Sequence, residues 1–489
     1  MPSITTTKPL NDLKAAIDAA PKGKKIVAFF DFDGTIIEGY SAGLYLKRLF
    51  KERSLSPRDY VEIVSFLFLE DPTDDEFANL LRCCLKNWKG KTEDEVRQLW
   101  LELFIAELGA RIYPEISEII RAHKRRGHRI VVASSALKYQ IEHCAEALEI
   151  DEILASRAEL VDDQFSGDID APTLWGEGKA QAVSDYAKRH KLNLDNCFAY
   201  ANGSEDVDFL SGVGHPCAVN PSSRLTAAAR KNAWPQLRFR SPTKVSVNEK
   251  VRTIASDAGM GLSLLGTLVS TVAGTPKRKA LNRLFNLGSD IGLAAAGIKL
   301  NIIGEQNLWA QRPAVFIFNH QSPLDLIIGV NLIGRDFTGV VKKEAKDMFG
   351  WGHFMQFSEM AFIDRGNTAQ AKEMLAPAIE KLSRGISVGL CPEGTRSYTP
   401  KLGKFKKGAF HIAMQAGVPI VPVVLRNAAE CMSRDSLWMR PGTVDVCVLP
   451  PIDCIDWTLD NMQSHIDEIE NSYREIIADW PGTTQYAIA

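Results

Sequence analysis

Short apolar runs that end abruptly in a polar, reactive residue constrain this chain more than any other feature. Residues 26–30 (Ile-Val-Ala-Phe-Phe) run straight into Asp31, and residues 314–318 (Ala-Val-Phe-Ile-Phe) run into Asn319 and His320. An apolar run this short, without alternation, fits a strand buried on both faces, as in a parallel sheet covered by helices. In such sheets chemistry sits beyond the C-terminal ends of the strands. Strand patterns return at 129–133, 196–201, 338–341, 386–390 and 420–425, with helical stretches such as 138–147 and 179–190 between them. The expected fold class is therefore α/β. The region 41–115, rich in Leu, Phe, Glu and Lys, reads as a helical insertion after the first strand.

At 489 residues the chain is too long for one ordinary core. The text turns polar around 238–247, with Pro235 and Pro242 nearby, and a domain boundary is expected there. The expected organisation is a lead-in at 1–24, an α/β domain at 25–240 with its cap at about 41–115, a linking and membrane-associating segment at 241–298, and a second α/β domain at 299–489. A formal net charge of −2 supplies no global field toward nucleic acid. Nine cysteines, an odd number without a Cys-x-x-Cys spacing, suit a reduced chain with no disulfide frame or zinc knuckle. Residues 1–25 lack an apolar core of signal-peptide type, so secretion is not expected.

Asp31-Phe32-Asp33-Gly34-Thr35 puts two carboxylates at i and i+2 on the loop beyond the first strand. Such a pair can divide nucleophilic and acid/base work. Ser134 follows the strand at 129–133, Lys179 opens a helix after Gly176-Glu177-Gly178, and Asn202 and Asp206 follow the strand ending at Tyr200. In this order the residues resemble the haloacid dehalogenase superfamily, in its phosphoserine-phosphatase-like branch, over about residues 26–221. The resemblance implies a Rossmann-like domain with a helical cap. It implies Asp31 as the nucleophile that becomes aspartyl-phosphate, and Asp33 as the acid and then the base. Ser134 and Lys179 would hold phosphoryl oxygens. Asp31, Asp206, Asn202 and the backbone carbonyl of Asp33 would hold Mg²⁺, which with the lysine offsets the repulsion between a carboxylate and a phosphate dianion. The family usually carries an aspartate where this chain has Asn202, so one charge is lost, although an amide oxygen still ligates. The alternative is a phosphate-binding domain without catalysis.

In the second half, Asn319-His320-Gln321-Ser322-Pro323-Leu324-Asp325 follows the strand at 314–318. Ser322 before Pro323 reads as a helix start, with Ser as N-cap and Pro at the first helical position. Asp325 then lies in the first turn and can orient one ring nitrogen of His320, leaving the other to take a proton from an alcohol. No Gly-x-Ser-x-Gly elbow occurs, so a direct transfer without an acyl-enzyme is expected. Phe362-Ile363-Asp364-Arg365, Pro392-Glu393-Gly394-Thr395-Arg396-Ser397 and Val418-Pro419-Ile420-Val421-Pro422-Val423 follow in order. The four segments, spanning about 300–425, resemble the glycerolipid acyltransferase family, especially 1-acylglycerol-3-phosphate acyltransferases. This implies His320 as general base, Asp325 as its partner, and Arg365, Glu393, Gly394, Thr395 and Arg396 around the acceptor, the arginines on its phosphate. Lys342, Lys343, Lys404, Lys406 and Lys407 would add positive potential, or are simply solvated. Pro419 and Pro422 would shape the strand and acyl tunnel. His411, in an amphipathic helix at 408–415, reads as packed, and His353 as interfacial.

Residues 258–276 carry no charge but contain several Gly, Ser and Thr, and Lys277-Arg278-Lys279 follow. Nineteen uncharged residues are nominally enough to span a bilayer. The favoured expectation is a pair of helices lying in or dipping into the cytoplasmic leaflet, and the alternative is a buried hairpin covering the sheet. The joint expectation is a peripheral or monotopic enzyme on the cytoplasmic face of a membrane. It would pass an acyl group from acyl-CoA or acyl-carrier protein to 1-acylglycerol 3-phosphate, giving phosphatidate, and carry a Mg²⁺-dependent phosphomonoesterase. Glycerol 3-phosphate or another lipid alcohol is the alternative acceptor.

Overall fold

The computed structural model describes residues 7–67, 73–170, 172–342, 346–347, 355–363, 371–397 and 401–481. The chain divides into two compact units between Lys244 and Val245.

The first unit is built on seven strands: β1 (Val27–Phe30), β2 (Arg129–Leu137), β3 (Glu152–Val161), β4 (Gln164–Asp170), β5 (Phe198–Ala201), β6 (His215–Val219) and β7 (Gln236–Leu237). Their order is β4-β3-β2-β1-β5-β6-β7. All neighbours are parallel except β3 and β4. Central β1 explains its own sequence. Ala28 and Phe30 enter the core with Ile116, Ile119 and Val132, while Val27 and Phe29 enter the core on the other face with Val183, Tyr186 and Phe209. Both faces are covered, so every residue of the strand is apolar. β3 and β4 were not anticipated between β2 and β5. Their hairpin turns through Asp162 and Asp163, both at positive φ (51° and 60°), a conformation more often announced by Asn-Gly.

β1 and β2 pair from Val27↔Arg129 to Phe30↔Val132, although about a hundred residues separate them in sequence. The helices Ser41–Lys51, Pro57–Leu67, Asp74–Leu85 and Glu93–Leu103 fall in that gap, so the early helical block is an insertion. Capping boxes at Thr73/Glu76 and Thr92/Glu95 start two of them. The cap has its own core of Tyr45, Trp88 and Trp100, which includes Tyr139 and Phe165 from the sheet domain.

The second unit carries β8 (Ile298–Ile303), β9 (Val315–Phe318), β10 (Phe337–Lys342), β11 (Ala361–Ile363), β12 (Ser387–Leu390), β13 (Ile420–Leu425) and β14 (Gly442–Val448), in the order β11-β10-β12-β9-β13-β14-β8. Only β13 and β14 are antiparallel among these pairs. β9 is central and fully buried, so the loop after it emerges mid-sheet. Pro422 lies inside β13 and accepts there, its carbonyl taking the N–H of Leu449 at 2.9 Å.

Residues 258–276 do not form a helix of their own. They continue the 26-residue helix Val247–Val272, which starts at the capping box Ser246/Glu249. The chain returns through Lys277–Arg283, a π turn at Leu284–Gly288 and Ser289–Ala296. The packing between the two limbs is mixed, with Leu264 against Leu281, Leu284 and Phe285 of the returning chain. Small and hydroxyl residues face inward: Thr253, Ser256 and Thr267 are buried, and Ser256 Oγ donates to Gly292 O at 2.8 Å. Val247, Val251, Ile254, Leu262, Leu265, Leu268, Val269 and Val272 are exposed, at the three-to-four spacing of one helix face. No helix among the described residues is long and apolar enough to cross a membrane.

Candidate active sites

In the first unit the motif residues meet at the C-terminal edge of the sheet. Asp31 leaves β1 with its N–H donated to Tyr200 O at 2.9 Å. Lys179, on the helix Glu177–His190, donates to Asp31 Oδ1 at 2.8 Å and also to Asp206 Oδ1. All three side chains are buried. Thr35 Oγ1 lies 3.2 Å from both Asp31 Oδ2 and Asn202 Oδ1, joining the first motif to the last. Gly34 (φ +77°) is required here, because a Cβ would lie 2.1 Å from Asn202 Nδ2. Ser134 is buried at the end of the parallel stretch of β2, where its Oγ accepts from Ala136 N at 3.2 Å.

Asp33 points toward the cap. Its Oδ1 accepts from Ser41 N at 2.7 Å and its Oδ2 from Ser41 Oγ at 3.1 Å, at the first residue of the helix Ser41–Lys51. Ser41 in turn accepts from Gln140 Nε2 at 3.1 Å. Ser41 and Gln140 are ordinary residues in no motif, so nothing in the sequence marks them. Thr35, in the Asp-x-Asp-Gly-Thr segment, and Glu205, beside Asp206, join the predicted residues, and adjacency to the motifs is the signal that could have found them.

Burial dominates the electrostatics. It pushes the carboxyl of Asp31 up to about 6 despite the opposing Lys179, that of Asp33 up to about 7, and that of Glu205 up to about 7. Burial also pulls against the charge of Lys179, but Asp206 and Asp31 outweigh it and hold the ammonium above its ordinary value. One lysine thus faces several carboxyl groups, and every other donor is an oxygen. That set fits a hard divalent cation such as Mg²⁺. Among the described residues, the acidic and thiol side chains whose ligand atoms lie within 4.8 Å of one another in a group of three are in the cap instead: Asp59, Glu62 and Cys83. Asp59 is held by Lys86 at 2.6 Å, and burial pushes the Cys83 thiol up to about 11, so the trio is an ion-paired cap contact.

In the second unit His320 Nδ1 lies 2.9 Å from Asp325 Oδ2. The same oxygen accepts the N–H groups of Gln321 (2.7 Å) and Ser322 (2.8 Å), so one carboxylate folds the loop and orients the ring. A carboxylate only accepts, so Nδ1 carries the proton and Nε2 is the basic nitrogen. The helix Leu324–Ile333 begins one residue later than expected, with Pro323 just before it and Ser322 Oγ accepting from Leu324 N at 3.0 Å. Asn319 anchors the end of β9 to β13 by a two-way amide contact with Leu425, 2.7 Å each way.

Glu393 does not present its carboxylate to an open groove. Oε1 accepts from His320 N at 2.6 Å and Oε2 from Gly403 N at 2.8 Å. Ser397 N donates to His320 O at 2.7 Å, so the segment holds the histidine from both sides. Gly394 (φ +76°) makes the turn beneath Lys406, Thr395 is exposed, and Arg396 Nη1 donates to Arg434 O. Lys404, Lys406 and Lys407 are exposed, and His411 is half-buried on the helix Gly408–Ala416. Arg365, Asp364, Lys343 and His353 lie outside the described residues, as does the side chain of Lys342.

The fold and these groups define a chain with a phosphohydrolase-type unit and an acyltransferase-type unit. Residues 28–211 match the haloacid dehalogenase-like hydrolase family and residues 299–426 the acyltransferase family, and the chain belongs to both. A Mycobacterium tuberculosis protein named "Probable phosphatase" is 30% identical over 262 residues, 52% of this chain and 90% of the relative. A Saccharomyces cerevisiae 1-acyl-sn-glycerol-3-phosphate acyltransferase is 34% identical over 178 residues, 36% of this chain and 58% of the relative. The Mus musculus 1-acyl-sn-glycerol-3-phosphate acyltransferase alpha is 31% identical over 192 residues, 38% of this chain and 67% of the relative.

Proposed function

We propose that the second unit transfers a fatty acyl group from acyl-CoA or acyl-carrier protein to the free hydroxyl of 1-acylglycerol 3-phosphate, giving phosphatidate. The observation that carries this is the 2.9 Å contact between His320 Nδ1 and Asp325 Oδ2 in a chain related to such acyltransferases. His320 Nε2 takes the hydroxyl proton as the acceptor oxygen attacks the thioester carbonyl. The carbon–sulfur bond breaks, and the thiolate leaves with a proton returned by the imidazolium. Asp325 stabilises the imidazolium between those events. Glu393 is a positioning residue, holding the His320 backbone. Arg396, with Arg365, would pair with the acceptor phosphate.

The first unit is read as a phosphomonoesterase. Asp31 attacks phosphorus, the ester oxygen leaves with a proton from Asp33, and water drawn on by Asp33 then hydrolyses the aspartyl-phosphate. Lys179 and Ser134 would hold phosphoryl oxygens. Asp31, Asp206, Asn202 and the carbonyl of Asp33 would hold Mg²⁺, which when bound supplies positive charge against the phosphate dianion.

Both acceptor and donor chains are lipids, and the exposed apolar stripe of the helix Val247–Val272 suits partial burial in the cytoplasmic leaflet, with the exposed Lys279 beside anionic headgroups; Lys277 and Arg278, expected there too, pair instead with Glu359 and Asp336. The test is lipid mass spectrometry on the purified chain given acyl-CoA and lysophosphatidate, alongside Asp31→Asn and His320→Ala variants. Phosphatidate should form with the wild type and Asp31→Asn, and not with His320→Ala. Undiminished product from His320→Ala would sink the assignment.

A further inference from the structure

The phosphohydrolase-type unit carries a buried hydrogen-bond relay that lies outside its motifs and ends on one of their carboxyl groups. Leu137 N donates to Gln140 Oε1 at 2.6 Å, where the helix Lys138–Leu148 leaves β2. Gln140 Nε2 donates to Ser41 Oγ at 3.1 Å, across 99 residues of chain. Ser41 Oγ donates to Asp33 Oδ2 at 3.1 Å, and Ser41 N donates to Asp33 Oδ1 at 2.7 Å. Ser41 and Gln140 are both buried. Ser41 opens the first cap helix, so the relay crosses from the sheet domain to the cap and back to the sheet edge. The two chain segments that join domain and cap also bond each other, Glu38 N to Arg111 O at 2.8 Å and Tyr113 N to Ile36 O at 3.0 Å.

Donor and acceptor chemistry fixes the direction of the relay. A backbone N–H only donates, so the amide of Gln140 turns its oxygen to Leu137 and its NH₂ to Ser41. The Ser41 hydroxyl then accepts from the amide, and its single proton is left for Asp33. The Asp33 carboxyl takes one donor on each oxygen, both from the same residue, and this sets its plane. Each oxygen keeps a further lone pair, enough to carry the proton that passes to a leaving group. An acid held in one orientation needs less reorganisation to deliver that proton than one free to turn. Gln140 is itself held by the helix that follows β2, the strand bearing Ser134.

We infer that Gln140 and Ser41 are positioning residues for the proposed general acid Asp33, with Gln140 acting through the Ser41 hydroxyl. The inference rests on the reading of the first unit as a phosphomonoesterase. A positioned acid matters in proportion to how much the leaving oxygen needs a proton. Phenolate needs one more than p-nitrophenolate, whose charge the nitro group spreads. The experiment measures kcat/KM of the full chain in Mg²⁺ with phenyl phosphate and with p-nitrophenyl phosphate. That ratio covers the steps through departure of the leaving group, so later hydrolysis of the aspartyl-phosphate does not enter it. The variants are Gln140→Leu, Ser41→Ala, Asp33→Asn and Asp33→Asn/Gln140→Leu, with melting temperatures measured in parallel. Gln140→Leu and Ser41→Ala should each lower kcat/KM for phenyl phosphate about 10- to 100-fold, and for p-nitrophenyl phosphate by no more than about threefold. With Asp33→Asn already in place, adding Gln140→Leu should change phenyl phosphate hydrolysis by less than about twofold. Equal falls on both esters overturn the inference, because a general loss of structure does not distinguish leaving groups. Unchanged hydrolysis of phenyl phosphate overturns it as well, and so does a further loss on top of Asp33→Asn. Ser41→Ala decides the matter where Gln140→Leu does not fold. If the wild type releases phosphate from neither ester, the phosphomonoesterase reading itself fails. If it does and both single variants match it, only the role of the relay fails.

Discussion

Asp325→Asn separates charge from geometry at the acyltransferase site. Asp325 Oδ2 accepts three hydrogen bonds, from His320 Nδ1, Gln321 N and Ser322 N. Asparagine can place its amide oxygen there and accept the same three. Its NH₂ group then occupies the position of Asp325 Oδ1, a buried oxygen with no hydrogen-bond partner among the described residues. The loop should keep its shape, and what disappears is one negative charge on a residue 3% exposed. For charge centres roughly 4 Å apart and an effective dielectric constant of about 20, that charge stabilises an imidazolium by about 4 kcal/mol. The rate of phosphatidate formation should therefore fall about 10³-fold if the imidazolium is largely formed in the transition state. The assay is the initial rate with oleoyl-CoA and 1-oleoylglycerol 3-phosphate, read by mass spectrometry, with His320→Ala as the floor and the melting temperature as the check on folding. An Asp325→Asn rate within tenfold of wild type, at an unchanged melting temperature and with His320→Ala inactive, would refute the reasoning.

Asp31→Asn should lower Mg²⁺-dependent release of phosphate from p-nitrophenyl phosphate by about 10³-fold or more while acyl transfer is retained; loss of both activities together would contradict separate sites. In the first unit, Tyr200 OH, His123, His128 and the carbonyl of Pro21 form a buried chain of hydrogen bonds at 2.8–2.9 Å. The carbonyl can only accept, so His128 Nε2 donates to it, His128 Nδ1 accepts from His123 Nδ1, and His123 Nε2 accepts from Tyr200. A first further proton requires the Tyr200 hydroxyl to turn from donating to accepting, and a second would set the two Nδ1 donors face to face. Burial first, then the neighbouring His128 and His215, depress His123, while burial and then Arg126, against the Pro21 carbonyl, depress His128. Below the ordinary value of 6.5 the unfolded chain takes up protons that the folded chain refuses, so stability falls with falling pH by about 1.4 kcal/mol per pH unit per histidine. Urea titrations at pH 7.5 and 5.5 should show this slope reduced in His123→Gln/His128→Gln; an equal slope in both proteins would exclude the chain as its source. Leu262, Leu265 and Val269 are 69%, 57% and 60% exposed. Replacing all three with Asp removes about 3 kcal/mol of apolar burial in a bilayer, so flotation with phosphatidylserine-containing vesicles should weaken about 100-fold, and undiminished flotation would remove this face from the membrane.

The central strands, the cap insertion and the motif residues were legible because each is written within a short stretch of chain. A wholly apolar run such as 314–318 is compatible with little but a strand buried on both faces, and its polar successor must then surface at the sheet edge. His320, on the loop, and Asp325, in the first turn of the helix that follows, are five residues apart, so their meeting follows from the helix start between them. The tertiary structure alone decided the contacts made across long stretches of sequence. These include Glu393 bonding the backbone of His320, Asp33 bonding Ser41 across the cap junction, and Arg434 bonding the backbone of Arg396. It also decided which way the helix Val247–Val272 turns its faces, since either its small hydroxyl side or its apolar side could have met the returning chain, and the close approach of Ser256 to Gly292 chose the former. The physical reason is that local sequence fixes backbone conformation and burial, whereas the partner of a given side chain is set by where the sheet order carries elements that are distant in the chain.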